Sequence, residues 1–252
     1  MFTTVFCLLS VGPQTIPVEF KVEGAVRTAI ACIPEKPSHA PLVFIWHGHG
    51  GSAQHSLTHY AVHRYWPEAI VLYMNGMPTK GRTDPEGNKP GWQKQKGEYG
   101  DRDLKLFDAA LKWAKETYHI DPNRVYAGGH SNGGAFTYLL WSDRRSDLAA
   151  VAASGAGFGR NALYAKPLPA LIIAGQKDQL VSFSFQMLSL KAALRINKCD
   201  PKGAPAGQMM ELHKSSIGAD VLTYIYPGDH TMPVDTGQKM AEFFKKYKRT
   251  SE

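Results

Sequence analysis

The chain has 252 residues, 43% hydrophobic and 20% charged, which suits a single α/β domain with a buried core and excludes a disordered or fibrous protein. Its formal charge of +7 comes from scattered Lys and Arg that cluster only at Lys245, Lys246, Lys248 and Arg249, read as a solvated helix end rather than a nucleic-acid surface. No apolar run approaches the roughly 20 residues of a membrane span.

Residues 1–17 open with Met1-Phe-Thr-Thr-Val-Phe-Cys7. They have the apolar character of a signal h-region but lack a basic n-region and a small-x-small cleavage site. They read as a signal-peptide remnant or N-terminal extension, with a strand as the alternative, and residues 18–252 as one domain. Short apolar bursts at Val18–Val22 and Ala25–Ile33 predict an antiparallel opening pair. Pro41–Trp46 and Ala69–Tyr73 have the continuous apolar look of strands buried on both faces. A polar, glycine-rich loop from Asn75 to Gly100 follows. Leu104, Phe107, Ala110, Leu111, Ala114 and Tyr118 recur at helical spacing, predicting an amphipathic helix over Asp101–Tyr118.

Downstream, Arg124–Ala127 predicts a strand and Ser131–Trp141 a helix. Two further strands fall at Ala149–Ala153 and Ala170–Ala174, with a helix at Ser184–Leu194. A last strand spans Val221–Tyr226 and a closing helix Asp235–Tyr247. Alternating strands and helices give a mostly parallel sheet covered on both faces, the α/β class. Cys7, Cys32 and Cys199 show no CxxC spacing, so neither a zinc knuckle nor a thioredoxin-like motif is available. One disulfide is open to them, without a pairing the sequence can name.

Gly129-His-Ser-Asn-Gly133 fits G-x-S-x-G between a predicted strand and a predicted helix. Such a turn lifts the Ser131 hydroxyl above the sheet and sets the Asn132 N–H at a helix N-terminus, where it can stabilise an anion. Asp178 and His230 follow in that order, each just after a predicted strand. A serine is a weak nucleophile until an imidazole takes its proton, and a carboxylate fixes that imidazole's tautomer. Asp178 is the expected acid and Asp229 its rival. The second oxyanion donor is expected from the backbone N–H of His49 in His47-Gly-His-Gly-Gly51, with Gly50 as the fallback. Trp92, in the long loop, is a candidate to cover the pocket mouth and stack on substrate, against a reading in which it pins the loop to the body. His55, His59 and His63 stand at i, i+4, i+8 beside His47 and His49, but the H-E-x-x-H glutamate is missing and no carboxylate interleaves them. No metal is therefore expected.

Asp101 through Gly134, with Phe107-Asp108, Ile120-Asp-Pro-Asn-Arg-Val-Tyr126 and the Ser131 turn, resembles the polyhydroxybutyrate depolymerase and feruloyl esterase branch of the α/β-hydrolases. His47-Gly-His-Gly-Gly51, Trp66-Pro67, Gly91-Trp92-Gln93, Asp178 with Val181, and Pro227-Gly-Asp-His230 match the same pattern in order. The resemblance implies a secreted or periplasmic, cofactor-free serine esterase acting on polyesters, feruloylated or acetylated polysaccharide, or small esters. An acyltransferase or peptidase on the same fold, or a scaffold used only for binding, are the alternatives.

Overall fold

The computed structural model describes residues 13–249. Strand β1 (Gln14–Val22) pairs antiparallel with β2 (Ala25–Ile33). Their turn, Glu23-Gly24, has φ of +48 and +82, the doubly left-handed backbone that suits the strand twist of a two-residue hairpin. β1 thus begins at Gln14, inside the segment read as a leader or extension; residues 1–12, where most of that expectation falls, lie outside the described residues.

The chain continues through β3 (Leu42–Trp46), α1 (Ala53–His59), α2 (Val62–Tyr65) and β4 (Ile70–Met74). Two short strands, β5 (Met77–Pro78) and β6 (Pro90–Gly91), pair with each other inside the long loop. Then come α3 (Arg102–Tyr118), β7 (Val125–His130), α4 (Asn132–Asp143), β8 (Ala150–Ser154) and β9 (Ala170–Gly175). The last elements are α5 (Phe183–Ile196), β10 (Ala204–Gly207), β11 (Met210–His213), β12 (Val221–Tyr226) and α6 (Thr236–Phe244).

Ten strands form one sheet in the order β1-β2-β4-β3-β7-β8-β9-β12-β11-β10. The six central strands run parallel, and antiparallel strands extend both edges. Side chains alternate across the pleat, so β3 serves two cores. Leu42, Phe44 and Trp46 join α3 and α4 residues such as Phe107 and Phe136 on one face. Val43 and Ile45 join Val62 of α2 and Met240 and Phe244 of α6 on the other. From β3 the chain steps one way to β4 and later returns to the other side as β7. That reversal opens a crevice at the carboxyl ends of β3 and β7, where ligands bind in open α/β sheets.

One local expectation is corrected. The histidine stripe is broken at Ala61, whose φ is +47; α1 ends there and His63 belongs to α2. The β10–β11 hairpin, unread in the sequence, adds two short antiparallel strands at the edge beyond β12. Cys32 and Cys199 do not pair. Cys32 lies beside Thr15 Oγ1 (3.6 Å), while the Cys199 thiol donates to the Ala219 carbonyl (3.5 Å). Cys7 lies outside the described residues.

Candidate active site

Ser131 sits between β7 and α4 with φ +56 and ψ −121, a sparsely populated backbone region costing on the order of 1–3 kcal/mol. Its N–H donates to the Ser154 carbonyl at the end of β8 (2.8 Å), and its carbonyl accepts from Ala135 N–H (2.9 Å). The flanking glycines show why the turn tolerates no side chains. A Cβ on Gly129 would lie 2.5 Å from the Gly133 carbonyl, and one on Gly133 would lie 2.1 Å from the Trp46 carbonyl oxygen. The elbow is therefore packed backbone to backbone against the end of β3.

β9 and β12 end level with each other, Gly175 opposite Tyr226, and the loops beyond them carry Asp178 and His230. Ser131 Oγ lies 2.8 Å from His230 Nε2, and His230 Nδ1 lies 2.7 Å from Asp178 Oδ2. The buried Asp178 carboxylate also accepts from Leu180 N–H (2.9 Å), Val181 N–H (2.8 Å) and Gln186 Nε2 (2.9 Å). Four donors thus converge on one carboxylate, which fixes its orientation. The rival Asp229 instead accepts Thr231 N–H at 2.7 Å. That bond holds its carboxyl below the ordinary value, and it is Asp178 that meets the imidazole.

His130, the variable residue of the motif, has a role the sequence reading missed. Its ring lies 4.7 Å from that of His230, and its Nδ1 is 3.1 Å from Ser154 Oγ. Burial, then repulsion from His230, pushes its pKa down to about 4. His130 is therefore a neutral wall against which the His230 ring rests. Only a three-dimensional neighbour, β8, reveals this.

Across the crevice, a Cβ on Gly48 would lie 3.4 Å from Ser131 Cβ, so the loop after β3 runs beside the hydroxyl. Gly50 N–H, the fallback oxyanion donor, is committed to the Pro90 carbonyl (2.8 Å). The His49 ring is also engaged. Its Nε2 lies 3.1 Å from Asp84 Oδ2. Lys89 N–H, then His49, hold that carboxyl below its ordinary value.

Trp92 does not cover the pocket mouth. It is fully buried, edge-on to Trp46 at 4.9 Å, with Nε1 donating to the His47 carbonyl (2.8 Å). The expected stacking role is corrected to an anchoring one, because a large ring gains more by filling the gap under β3 than by facing water. The Asn132 side chain, unread in the sequence, clamps the Trp92 backbone. Gln93 next to it accepts from Asp103 N–H (3.0 Å), and its own N–H donates to the Asp103 carboxylate (2.8 Å), which also holds Arg27 (2.8 Å) in a buried pair.

The five clustered histidines diverge. His47 is buried, accepts Gly76 N–H (2.9 Å) and is pushed by burial to a pKa of about 4. His49 meets Asp84, and His63 meets the Tyr73 hydroxyl (2.9 Å). His55 and His59 stack on each other at the surface.

A cleft of about 470 Å³ opens over Ser131 and Asn132. Its wall is apolar, from Ala135, Ala156, Phe158, Leu180, Val181 and Phe185, and Arg82, Lys94 and Arg160 stand at its mouth. Gly157 admits the Phe185 ring, whose Cε1 would lie 1.9 Å from a Cβ there.

Residues 70–168 match the prolyl oligopeptidase family. Feruloyl esterase D of Neurospora crassa is 27% identical over 203 residues, 75% of this chain and 67% of that protein. A bifunctional acetylxylan esterase/xylanase of Neocallimastix patriciarum is 26% identical over 174 residues; the match covers 68% of this chain but only 24% of that longer protein. Among solved structures, an acetyl xylan esterase from Aspergillus awamori superposes with a TM-score of 0.66 at 16% identity, covering 93% of this chain and 99% of that one.

Proposed function

We propose that this chain, a member of the α/β-hydrolase superfamily, is a serine carboxylic ester hydrolase that works through an acyl-enzyme. The observation that carries this reading is the unbroken line from Ser131 Oγ to His230 (2.8 Å) to the buried Asp178 (2.7 Å), beginning on a strained elbow at the floor of a cleft. His230 Nε2 takes the Ser131 proton as Oγ attacks the ester carbonyl, then returns it to the leaving alcohol. Asp178 holds the tautomer that presents Nε2 as the acceptor. The Asn132 and His49 N–H groups would bind the oxyanion, each worth about 3–4 kcal/mol in comparable sites. A water activated by the same imidazole then releases the acid. No cofactor enters this chemistry.

The two named relatives support feruloylated or acetylated plant polysaccharide as the substrate class, with polyesters as a wider possibility, in a secreted or periplasmic enzyme. Ser131→Ala tests the nucleophile. The wild-type protein should turn over p-nitrophenyl acetate and methyl ferulate and take one fluorophosphonate label per chain, and the variant should do neither. A variant that still labels at one serine would displace Ser131 from the role. Peptide hydrolysis is the second reading, favoured by the match over residues 70–168. That stretch contains the elbow but neither Asp178 nor His230, and turnover of an aminoacyl p-nitroanilide at a rate matching the esters would support it.

A further inference from the structure

The mouth of the cleft carries a charge pattern that ester hydrolysis alone does not call for. Arg82, Lys94 and Arg160 line it, all three exposed, and no Asp or Glu is among its lining residues. None of the three makes a salt bridge among the described residues. Two carboxylates lie nearby and both are engaged by other groups: Asp84 by His49 and Lys89 N–H, and Glu98 by the Lys94 and Gln95 N–H groups (2.7 and 3.2 Å).

Their placement is also ordered. Arg82 reaches across the mouth toward the Gln179 carbonyl (3.5 Å), joining the long loop to the loop that follows Asp178. Asn161 Nδ2 donates to the Lys94 carbonyl (2.9 Å), tying the backbone that carries Lys94 to the turn that carries Arg160. Three cations without a salt-bridge partner among the described residues therefore line an apolar cavity that also holds Ser131. Field lines concentrate in such a cleft, and the chain's net charge of +7 adds to the potential there.

We infer that the preferred substrate is an ester carrying a free carboxylate close to the scissile bond, its apolar portion seated against Phe158 and Phe185 and its carboxylate held by Arg82, Lys94 and Arg160. The inference rests on the ester-hydrolase reading and narrows it. Arg82, with a planar fork, suits a carboxylate in two-point contact, while Lys94 and Arg160 raise its local concentration. The carboxylate could lie in the acyl or the alcohol half, so the test includes both.

Two matched pairs serve as probes: mono-p-nitrophenyl glutarate against p-nitrophenyl pentanoate for the acyl side, and 4-acetoxybenzoate against 4-acetoxybenzamide for the alcohol side. The kcat/KM ratio of anionic to neutral ester is measured at low and high salt. It is measured for the wild type, for Arg82→Gln, Lys94→Gln and Arg160→Gln, and for the triple variant. In at least one pair, each single change should lower the ratio by about two- to five-fold through KM, the scale of an exposed ion pair. The triple change should lower it further, and added salt should lower it in the wild type. A ratio that is the same in wild type and triple variant, and indifferent to salt, in both pairs would overturn the inference while leaving ester hydrolysis standing. If no ester of either charge is turned over, the ester reading and the inference fall together.

Discussion

Both ends of the Asn132 carboxamide are bonded to the backbone of a single residue, Trp92: Oδ1 accepts its N–H at 2.7 Å and Nδ2 donates to its carbonyl at 3.0 Å. The residue after the proposed nucleophile thus clamps a loop 40 positions away. Trp92 in turn holds the His47 carbonyl through Nε1 (2.8 Å), so the two halves of the proposed oxyanion hole are braced through one buried residue, its backbone on one side and its indole on the other.

Replacing Asn132 with Ala keeps the backbone donor but strands a buried N–H and carbonyl, at about 1–3 kcal/mol each. The expected result is a lower unfolding free energy together with a fall in kcat exceeding the change in KM. Trp92→Phe removes the bond to His47 but keeps most of the packing. It should lower stability by about 1–3 kcal/mol and leave the order of preference across p-nitrophenyl chain lengths intact. A reordered preference would return Trp92 to the pocket mouth.

The two candidate acids should separate sharply. Asp178→Asn loses the acceptor that faces His230 Nδ1 and should lower kcat by up to about four orders of magnitude, as neutralising such a carboxylate does elsewhere. Asp229→Asn alters only a turn contact to Thr231 and should leave kcat within about tenfold, a loss of no more than about 1.4 kcal/mol in barrier terms. Steady-state kinetics on one activated ester measures both. The opposite ranking would move the acid to Asp229.

Acid should weaken the fold before the carboxylates titrate. His47 and His130 are each held neutral down to a pKa of about 4, chiefly by burial. In the unfolded chain both take a proton as the pH falls through about 6.5. Between those limits the unfolded state binds more protons, so stability is full above about 6.5, declines as pH falls, and levels off near 4. Urea unfolding at pH 7.0, 5.5 and 4.5 measures the decline. His47→Gln, which keeps an acceptor for Gly76 N–H, should shallow the slope while losing some stability at neutral pH. An unchanged slope in that variant would mean His47 does not carry the effect.

Much of this was legible because its causes are local. β2 and β12 lie where apolar runs put them, Ala25–Ile33 and Val221–Tyr226. The Ser131 turn announces itself because glycines are sterically required on both sides of it. What stayed hidden depends on distant partners. Nothing near Trp92 says that Trp46 and Phe136 leave a gap of its shape. Nothing near His49 says that Asp84 will meet its ring from 35 residues away. The break at Ala61 has neither Gly nor Pro to mark it, so a histidine stripe at helical spacing looked continuous when it was two helices.

The level ending of β9 and β12, Gly175 opposite Tyr226, acts as a gauge for everything above it. Each strand residue advances about 3.3 Å, more than the slack in a hydrogen bond of 2.7 Å between His230 and Asp178. Insertion or deletion of one codon inside either strand would lift one partner off the other and turn the following side chains to the wrong face. The same change in the loop between Asn75 and Gly100, or in the turn bearing Arg160, leaves that gauge untouched. Length variation among descendants of this chain should therefore be tolerated around the cleft mouth and eliminated beneath it, so that specificity can drift while the chemistry stays in register.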